Sequence, residues 1–262
     1  MDLKLIGKRA IVCGSTQGIG RAIALKFSEL GASVTLVSRN EEKLKELQKQ
    51  LKNYEKQDHH YITADFSYPD ILKEKIEKYL KKVGRVDILV NNTGGPPAGK
   101  AIDAKVEEFV NAFNIHLVCN HHLVQSVVPL MKNAGGGRII NIISTSVKMP
   151  IMDLGVSNTI RGAVASWAKT LSMELGPWGI TVNNILPGYT QTSRLDSLLE
   201  NKAAKSNKTT EEVQKEMEVE IPLKRFADPQ ETAEAVAFLA SDAASYINGV
   251  NLPVDGGRTG CL

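Results

Sequence analysis

Short apolar runs alternate with longer amphipathic stretches along most of this chain. The apolar runs are rich in Val and Ile, and most lack a polar face, which is typical of strands covered on both sides. They span residues 9–14, 33–39, 60–66, 86–93, 138–144, 180–186 and 250–254. Because strands that alternate with helices form parallel sheets through crossover connections, the pattern predicts an α/β protein with a doubly wound, seven-stranded parallel sheet and helices on both faces.

The amphipathic stretches predict the helices. The first helix is indicated by apolar residues at steps of four, four and three, namely Ile19, Ile23, Phe27 and Leu30. Long helices are predicted over about 103–132 and 155–175. The Asp228-Pro229 pair predicts the N-terminus of a further helix that ends near Ser241, because Asp is a favoured cap and Pro suits the first helical position.

One stretch stands apart from the alternation. Residues 190–224 are rich in Lys, Glu, Asn and Ser with scattered Leu and Met, and they predict a helical flap. Since no Gly-, Ser- or Pro-rich linker interrupts the chain, residues 1–262 are predicted to form a single domain.

Charge and cysteine content narrow the classes of function. The 32 Lys and Arg residues nearly balance the 29 Asp and Glu residues, and the net charge of +3 gives no indication of a nucleic-acid or membrane-surface partner. Three widely spaced cysteines argue against a disulfide framework and favour a reducing, cytoplasmic location, with Cys13 expected in the core. The histidines at 116, 121 and 122 lack ligand spacing, so no metal site is predicted.

A glycine-rich turn follows the first predicted strand. Gly14, Gly18 and Gly20 are spaced G-x-x-x-G-x-G and lead directly into the first predicted helix. Such a turn brings backbone N–H groups at a helix N-terminus close to a pyrophosphate, where the peptide dipoles favour negative charge. The turn predicts a dinucleotide site.

The end of the second predicted strand indicates which dinucleotide. An acid there would bind the ribose hydroxyls and repel a 2′-phosphate, but the sequence reads Ser38-Arg39-Asn40. Arg39 is able to form charge-assisted hydrogen bonds to a phosphate. NADP(H) is therefore predicted over NAD(H).

Together these motifs resemble those of the short-chain dehydrogenase/reductase family, within it the 3-oxoacyl-carrier-protein reductase-like branch, over about residues 5–258. Further marks are Asn91-Asn92-Thr93-Gly94, Asn114, Ser144, Pro187-Gly188 and Val254-Asp255-Gly256-Gly257. The resemblance implies a Rossmann fold in which Asp65 meets the adenine, Asn91 supports the loop over the cofactor, Asn114 holds a water and Pro187-Gly188-Tyr189 faces the nicotinamide. The cofactor contacts predicted overall are Gly14, Ser15, Gln17, Gly18, Ile19, Gly20, Ser38, Arg39, Asp65, Phe66, Asn91, Gly94, Arg161, Pro187, Gly188, Thr190 and Thr192.

The chain departs from the family at two positions. The family carries a Tyr thirteen residues after the Ser and a Lys four residues later, whereas this chain has Ser157 and Arg161. The register is secured by the matching helical continuation over 167–171. A serine hydroxyl is a far weaker acid than a phenol, so Ser157 cannot simply take over proton transfer. The predicted catalytic residues are Asn114, Ser144, Ser157 and Arg161.

Three outcomes stay open at this point. In the first, Ser144, Ser157 and Arg161 polarise a carbonyl, and the proton comes from water or from a substitute side chain, namely Tyr189, Lys148 or Asp153. In the second, Arg161 recognises an anionic substrate such as a carboxylate while the hydride chemistry is intact. In the third, the protein binds the dinucleotide without turnover and works as a sensor or scaffold.

The remaining expectations concern the substrate and the assembly. The hypothesis is that the protein reduces a small-molecule carbonyl or oxidises the corresponding secondary alcohol. Apolar side chains of the flap are expected to line the substrate pocket, and the 94–99 loop to form a wall over the nicotinamide. The two long helices carry apolar residues on more faces than one sheet covers. The resemblance implies that these helices pair between subunits, giving a homodimer or homotetramer.

Overall fold

Seven parallel strands form one sheet in the computed structural model, which describes residues 2–54 and 56–261. The strand order is β3-β2-β1-β4-β5-β6-β7. The strands are β1 Arg9–Cys13, β2 Ser33–Ser38, β3 His60–Thr63, β4 Ile88–Asn91, β5 Gly137–Ile142, β6 Ile180–Pro187 and β7 Asn251–Val254. The predicted sheet is confirmed, and its order reverses between β1 and β4, the position where doubly wound sheets open a crevice at the carboxyl ends of their strands.

The helices follow the predicted alternation, with one correction. They are α1 Gly18–Glu29, α2 Glu41–Gln50, α3 Pro69–Val83, α4 Val106–Phe113, α5 Cys119–Asn133, α6 Gly155–Leu175, α7 Ser193–Ser206, α8 Thr210–Val219 and α9 Pro229–Ala240. The helix predicted over about 103–132 begins later, at Val106, and its helical backbone continues to Asn133. Ala101–Asp103 form a separate short turn. Between α4 and α5 the backbone forms a π-helical segment at Asn114–Val118, whose hydrogen bonds span one residue more than those of an α-helix.

Two apolar layers cover the two faces of the sheet. On one face α1 packs against α9, and Ile23 and Phe27 of α1 are fully buried there. On the other face α3 packs against α5, with Ile76 and Leu123 in the same buried cluster as Cys13. Covering both faces explains why the strands are apolar throughout and confirms the core position predicted for Cys13.

A chain of asparagine side chains crosses the carboxyl half of the sheet. Asn91, Asn141, Asn184 and Asn251 occupy paired positions on the adjacent strands β4, β5, β6 and β7. Each side-chain amide donates to the next carbonyl at 2.8 Å. The first three residues are buried, so these hydrogen bonds pair amide groups that are shielded from solvent inside the sheet.

The predicted flap at 190–224 contains α7 and α8. Leu195 and Leu199 of α7 pack with Met217 of α8 and with Phe226 in a small apolar cluster separate from the main core. The flap therefore has a core of its own above the carboxyl edge of the sheet. Within the described part of the chain, no helix has the length and apolar character needed to cross a bilayer.

Candidate active site

A cavity of about 730 Å³ lies at the carboxyl edge of the sheet. It extends from the glycine-rich turn, across the ends of β2, β4, β5 and β6, to the flap. Most of the predicted site residues line it: Gly14, Gln17, Gly18, Ile19, Ser38, Arg39, Asp65, Phe66, Gly94, Ser144, Ser157, Arg161, Pro187, Gly188, Tyr189, Thr190 and Thr192. Residues far apart in the sequence are thus brought to one crevice.

The glycine-rich turn has a backbone suited to an anion. Gly14 and Gly18 both have positive φ, of 58° and 51°. The first helical residues of α1 receive no side-chain cap from Gln17, so their N–H groups are free to bind a ligand at the positive end of the helix. A Cβ at Gly20 would overlap the Gly14 carbonyl oxygen, so this position serves the tight turn and does not line the cavity.

Asn92, which was not among the predicted contacts, holds the glycine-rich turn. Its amide donates to the carbonyls of Cys13 and Gly14 at 3.2 and 3.3 Å, and Asn92 lines the cavity. The predicted placement of Asn91 at the cofactor loop is wrong. Asn91 is fully buried and does not line the cavity, because its side chain points along the sheet to Asn141. Adjacent strand residues face opposite ways, which explains why the neighbouring position makes the contact.

The other end of the cavity carries two exposed cations. Arg39 and Lys43 line it together with Asn40. The Asn40 side chain accepts from the Lys43 backbone N–H at 2.9 Å and begins α2. No acid stands at the end of β2, and the nearby Glu41 is paired with Lys45 at 2.8 Å. This arrangement fits a phosphate group on a ribose.

Asp65 and Phe66 lie beside this end of the cavity. The Asp65 carboxylate accepts from the backbone N–H of Ser67 at 2.9 Å, which fixes the turn after β3. Ser15, another predicted cofactor contact, does not line the cavity. It is fully buried, and its hydroxyl donates to the Val37 carbonyl, so it joins the turn to β2.

The central part of the cavity contains the two serines. Ser144 follows β5, and its hydroxyl oxygen accepts from the Ser146 backbone N–H at 3.1 Å, which leaves the hydroxyl proton free to be donated. Ser157 lies in the first turns of α6 and is 7% exposed. Both serines line the cavity.

Arg161 lies one turn beyond Ser157 and is also 7% exposed. One guanidinium nitrogen donates to the Ile142 carbonyl at 3.0 Å. Among the described residues, no carboxylate lies within ion-pair distance of Arg161. Burial, and then the charge of Arg194, lower the pKa of Arg161 to about 10. The guanidinium is therefore still positively charged at neutral pH.

Arg194 was not predicted as a site residue. It begins the flap in α7, lines the cavity, and donates to the Pro96 carbonyl at 2.5 Å. A Cβ added at Gly95 would lie 3.2 Å from the same guanidinium, so Arg194 rests directly on the 94–99 loop. This contact joins the flap to the loop that was predicted to form a wall.

His116 and Thr93 form a buried pair next to the cavity. Thr93 lines the cavity, and its hydroxyl is 2.6 Å from Nδ1 of His116, which is 2% exposed in the π-helical segment. Burial, and then the charges of Arg161 and Arg194, lower the pKa of His116 to about 2. The imidazole is neutral at physiological pH. Asn114 begins the same segment but does not line the cavity, whereas its neighbour Ile115 does.

The contacts of Tyr189 favour a packing role. Its ring lies edge-on to Phe226 at 5.9 Å, and the Arg258 guanidinium sits 4.4 Å from the ring centroid. Burial raises the pKa of Tyr189, which makes the phenol a weaker acid. The other two substitute acids weighed from the sequence, Lys148 and Asp153, do not line the cavity.

The family is identified by comparison with known proteins. Residues 14–259 match the family model described as enoyl-(acyl carrier protein) reductase. The chain therefore belongs to this family of short-chain dehydrogenases/reductases. The family predicted from the motifs is confirmed, and the fold agrees with that of solved relatives.

Three relatives illustrate the range of the similarity. The chain is 31% identical over 251 residues to the NADPH-dependent reductase BacG of Bacillus subtilis strain 168, which covers 95% of this chain and 97% of BacG. L-sorbose reductase of Gluconobacter frateurii, complexed with NADPH and L-sorbose, has a TM-score of 0.93 and 30% identity over 100% of both chains. A 7α-hydroxysteroid dehydrogenase complexed with NADH and 7-oxo glycochenodeoxycholic acid has a TM-score of 0.88 and 30% identity, covering 98% of this chain and 96% of that one.

Proposed function

We propose that this protein is an NADP(H)-dependent oxidoreductase that interconverts a carbonyl and a secondary alcohol by hydride transfer, with an atypical active site. The proposal rests on one observation: the glycine-rich turn, Arg39 and Ser144 all line a single cavity at the carboxyl edge of the sheet. Two relatives support the choice of cofactor: BacG is an NADPH-dependent reductase, and the structure of L-sorbose reductase contains NADPH.

The residues of this cavity fit NADP(H). The free N–H groups of the turn at Gly18 suit the pyrophosphate, and Arg39 with Lys43 suits the 2′-phosphate. Asp65 and Phe66 are available to the adenine, and Pro187 and the residues after it to the nicotinamide. When bound, NADPH would supply a hydride to the carbonyl carbon, and NADP⁺ would accept a hydride from the alcohol in the reverse reaction.

The chain's own polar groups stabilise the substrate oxygen. As the carbonyl carbon gains the hydride, its C=O π electrons move to the oxygen, which becomes negative. Ser144 and Ser157 donate hydrogen bonds to that oxygen, and the charge of Arg161 stabilises it. Water then supplies the proton, because a serine hydroxyl is too weak an acid and the pKa of Tyr189 is raised. The reverse reaction returns this proton to water.

Single-turnover kinetics test this proposal. Protein loaded with NADPH is mixed with a panel of ketones, keto acids and aldehydes, and loss of NADPH absorbance is followed. Reduction of at least one compound is expected, slowed when the transferred hydrogen of NADPH is replaced by deuterium. Ser144→Ala is expected to slow hydride transfer about 10²–10³-fold, the cost of losing one oxyanion donor. Ser126→Ala is the matched control, since Ser126 lies on α5 and bonds the His122 carbonyl.

A second function, a dinucleotide-binding sensor or scaffold without turnover, is favoured by the absence of the family's Tyr. The double variant Ser157→Tyr/Arg161→Lys separates the two functions. If the wild-type protein has no activity and the double variant gains it, the sensor function is supported. If the wild-type protein reduces a carbonyl, the sensor function is rejected.

A further inference from the structure

We infer that Arg161 and Arg194 together bind a carboxylate on the substrate, so that the substrate is an anionic carbonyl compound. This inference rests on the proposed function, because it assigns the substrate half of the same cavity. The observation behind it is a buried, charged arginine that has no acidic partner among the described residues.

Arg161 has unused hydrogen-bonding capacity. A guanidinium carries five N–H donors in a planar fork, and one of them is used on the Ile142 carbonyl. Burying a charge without a partner is costly, so a guanidinium that is 7% exposed and lines a cavity indicates an anion that binds there. The two oxygens of a carboxylate match the geometry of the fork.

Arg194 adds a second positive charge at the rim of the cavity. Arg194 and Arg161 line the same cavity, and the positive charge of Arg194 is one cause of the lowered pKa of Arg161. The Pro96 carbonyl fixes Arg194 in place. An anion bound to both groups would offset their positive charges, and it would also join the flap to α6 around the substrate.

No other charge in this half of the cavity offsets the two arginines. Asp65 is the acid among the described lining residues, and it lies beside Arg39 and Lys43 at the opposite end. Arg258, the remaining lining cation of this half, is paired with Glu220 at 3.0 Å. His116 is neutral. The ribose hydroxyls of a cofactor would bond to Arg161 without neutralising it, whereas a carboxylate would do both.

Calorimetry with carboxylates and their neutral amides tests the inference. Protein saturated with NADP⁺ is titrated with acetate, benzoate and phenylacetate, and with acetamide, benzamide and phenylacetamide. At least one carboxylate is expected to bind ten-fold more tightly than its amide. Arg194→Gln is expected to weaken binding of that carboxylate at least ten-fold while leaving the amide unchanged. Arg161→Gln is expected to weaken the carboxylate at least ten-fold and the amide by less, because Arg161 also faces the substrate oxygen. Arg194 is exposed, so its variant tests the site without disturbing the core.

Arg21→Gln is the matched control, because Arg21 is exposed on α1 and does not line the cavity. The inference is overturned if every carboxylate stays within ten-fold of its amide, or if neither cavity variant changes the preference. A variant Arg161→Gln that loses NADP⁺ affinity but keeps the carboxylate preference would likewise overturn it. The NADP⁺ titration of the wild-type protein is read separately, and absence of binding there would reject the proposed function instead.

Discussion

Arg39 illustrates how one side chain sets the choice of cofactor. It stands where an acid would exclude a 2′-phosphate, and Lys43 one turn into α2 adds a second positive charge at the same end of the cavity. Hydrogen bonds to charged groups contribute about 1.5–3 kcal/mol each. The preference for NADPH over NADH should therefore depend mainly on Arg39, with a smaller contribution from Lys43.

Replacing Arg39 by Ala is expected to weaken NADPH binding about 10–100-fold, the equivalent of one charged hydrogen bond, and to leave NADH binding nearly unchanged. Titration of both cofactors, followed by protein fluorescence, measures the two affinities. Lys49→Ala is the control, because Lys49 is exposed on α2 and does not line the cavity. Equal losses for NADPH and NADH would contradict the assignment of Arg39 to the phosphate.

His116 makes stability depend on pH in a definite direction. The pKa of this imidazole is about 2 in the folded protein, against an ordinary value near 6.5. Below pH 6.5 the unfolded chain takes up a proton at this residue that the folded protein does not. Its contribution to the free energy of unfolding therefore falls as the pH drops below 6.5, by about 1.4 kcal/mol between pH 7.5 and 5.5.

Urea unfolding at pH 7.5 and 5.5 measures this effect. His116→Gln is expected to lose about 1.4 kcal/mol less over this interval than the wild-type protein does, because the titrating group is gone. Thr93→Val removes the hydrogen bond to His116 but keeps the imidazole, so it should keep the wild-type difference between the two pH values. If His116→Gln and the wild-type protein show the same difference, His116 is not buried in its neutral form.

At the level of elements, the asparagine chain couples four strands next to the site. Replacing Asn141 by Leu is expected to lower the free energy of unfolding by about 2–5 kcal/mol, because Asn91 and Asn184 both lose a buried partner. Chemical denaturation measures the change. Asn251→Leu, at the exposed end of the chain, should cost about 1 kcal/mol, since a single hydrogen bond is lost there. A cost for Asn141→Leu below that of Asn251→Leu would contradict a stabilising role for the chain of amides.

The elements themselves were largely predictable, because a doubly wound sheet requires uniformly apolar strands, and these strands are apolar. The asparagine chain was not predictable, since it depends on the register of β4, β5, β6 and β7, which apolar patterning leaves open. The sequence also did not show which of the neighbouring residues Asn91 and Asn92 lines the cavity. That depends on the position at which β4 ends. The π-helical segment at 114–118 was not predictable either. Its apolar residues continue the pattern of an ordinary α-helix, so the sequence pattern does not distinguish the two.

Within the site, the phosphate-binding turn was predictable because glycine spacing and a following helix are both local features. Arg194 was missed because its relation to Arg161 depends on the flap, whose position relative to α6 is a tertiary feature. The charge of Arg161 was evident in the sequence, but only the structure shows that Arg161 is buried and that no acidic side chain in residues 2–54 and 56–261 pairs with it. The role proposed for Arg161 therefore depends on how α6 and α7 are placed around the cavity.

At the scale of the whole molecule, apolar side chains remain exposed on the elements that the family resemblance assigns to subunit contacts. Val110 and Phe113 of α4 are 51% and 41% exposed, and Met173 of α6 is 64% exposed. We expect a homodimer or homotetramer, and light scattering at micromolar concentration should give two or four times the chain mass of 28.5 kDa. A mass of 28.5 kDa would contradict this expectation. Val110→Glu/Phe113→Glu should shift the mass toward the single chain, and the exposed Glu107→Lys on the same helix is the control.

The whole cavity serves its proposed chemistry only if a nicotinamide dinucleotide occupies it. Isothermal titration of the purified wild-type protein with NADPH and with NADH tests this claim most directly. One NADPH is expected to bind per chain, at least ten-fold more tightly than NADH. Absence of binding by both cofactors would contradict the account of the glycine-rich turn, of Arg39 and of the catalytic proposal together, and tighter binding of NADH would contradict the role of Arg39.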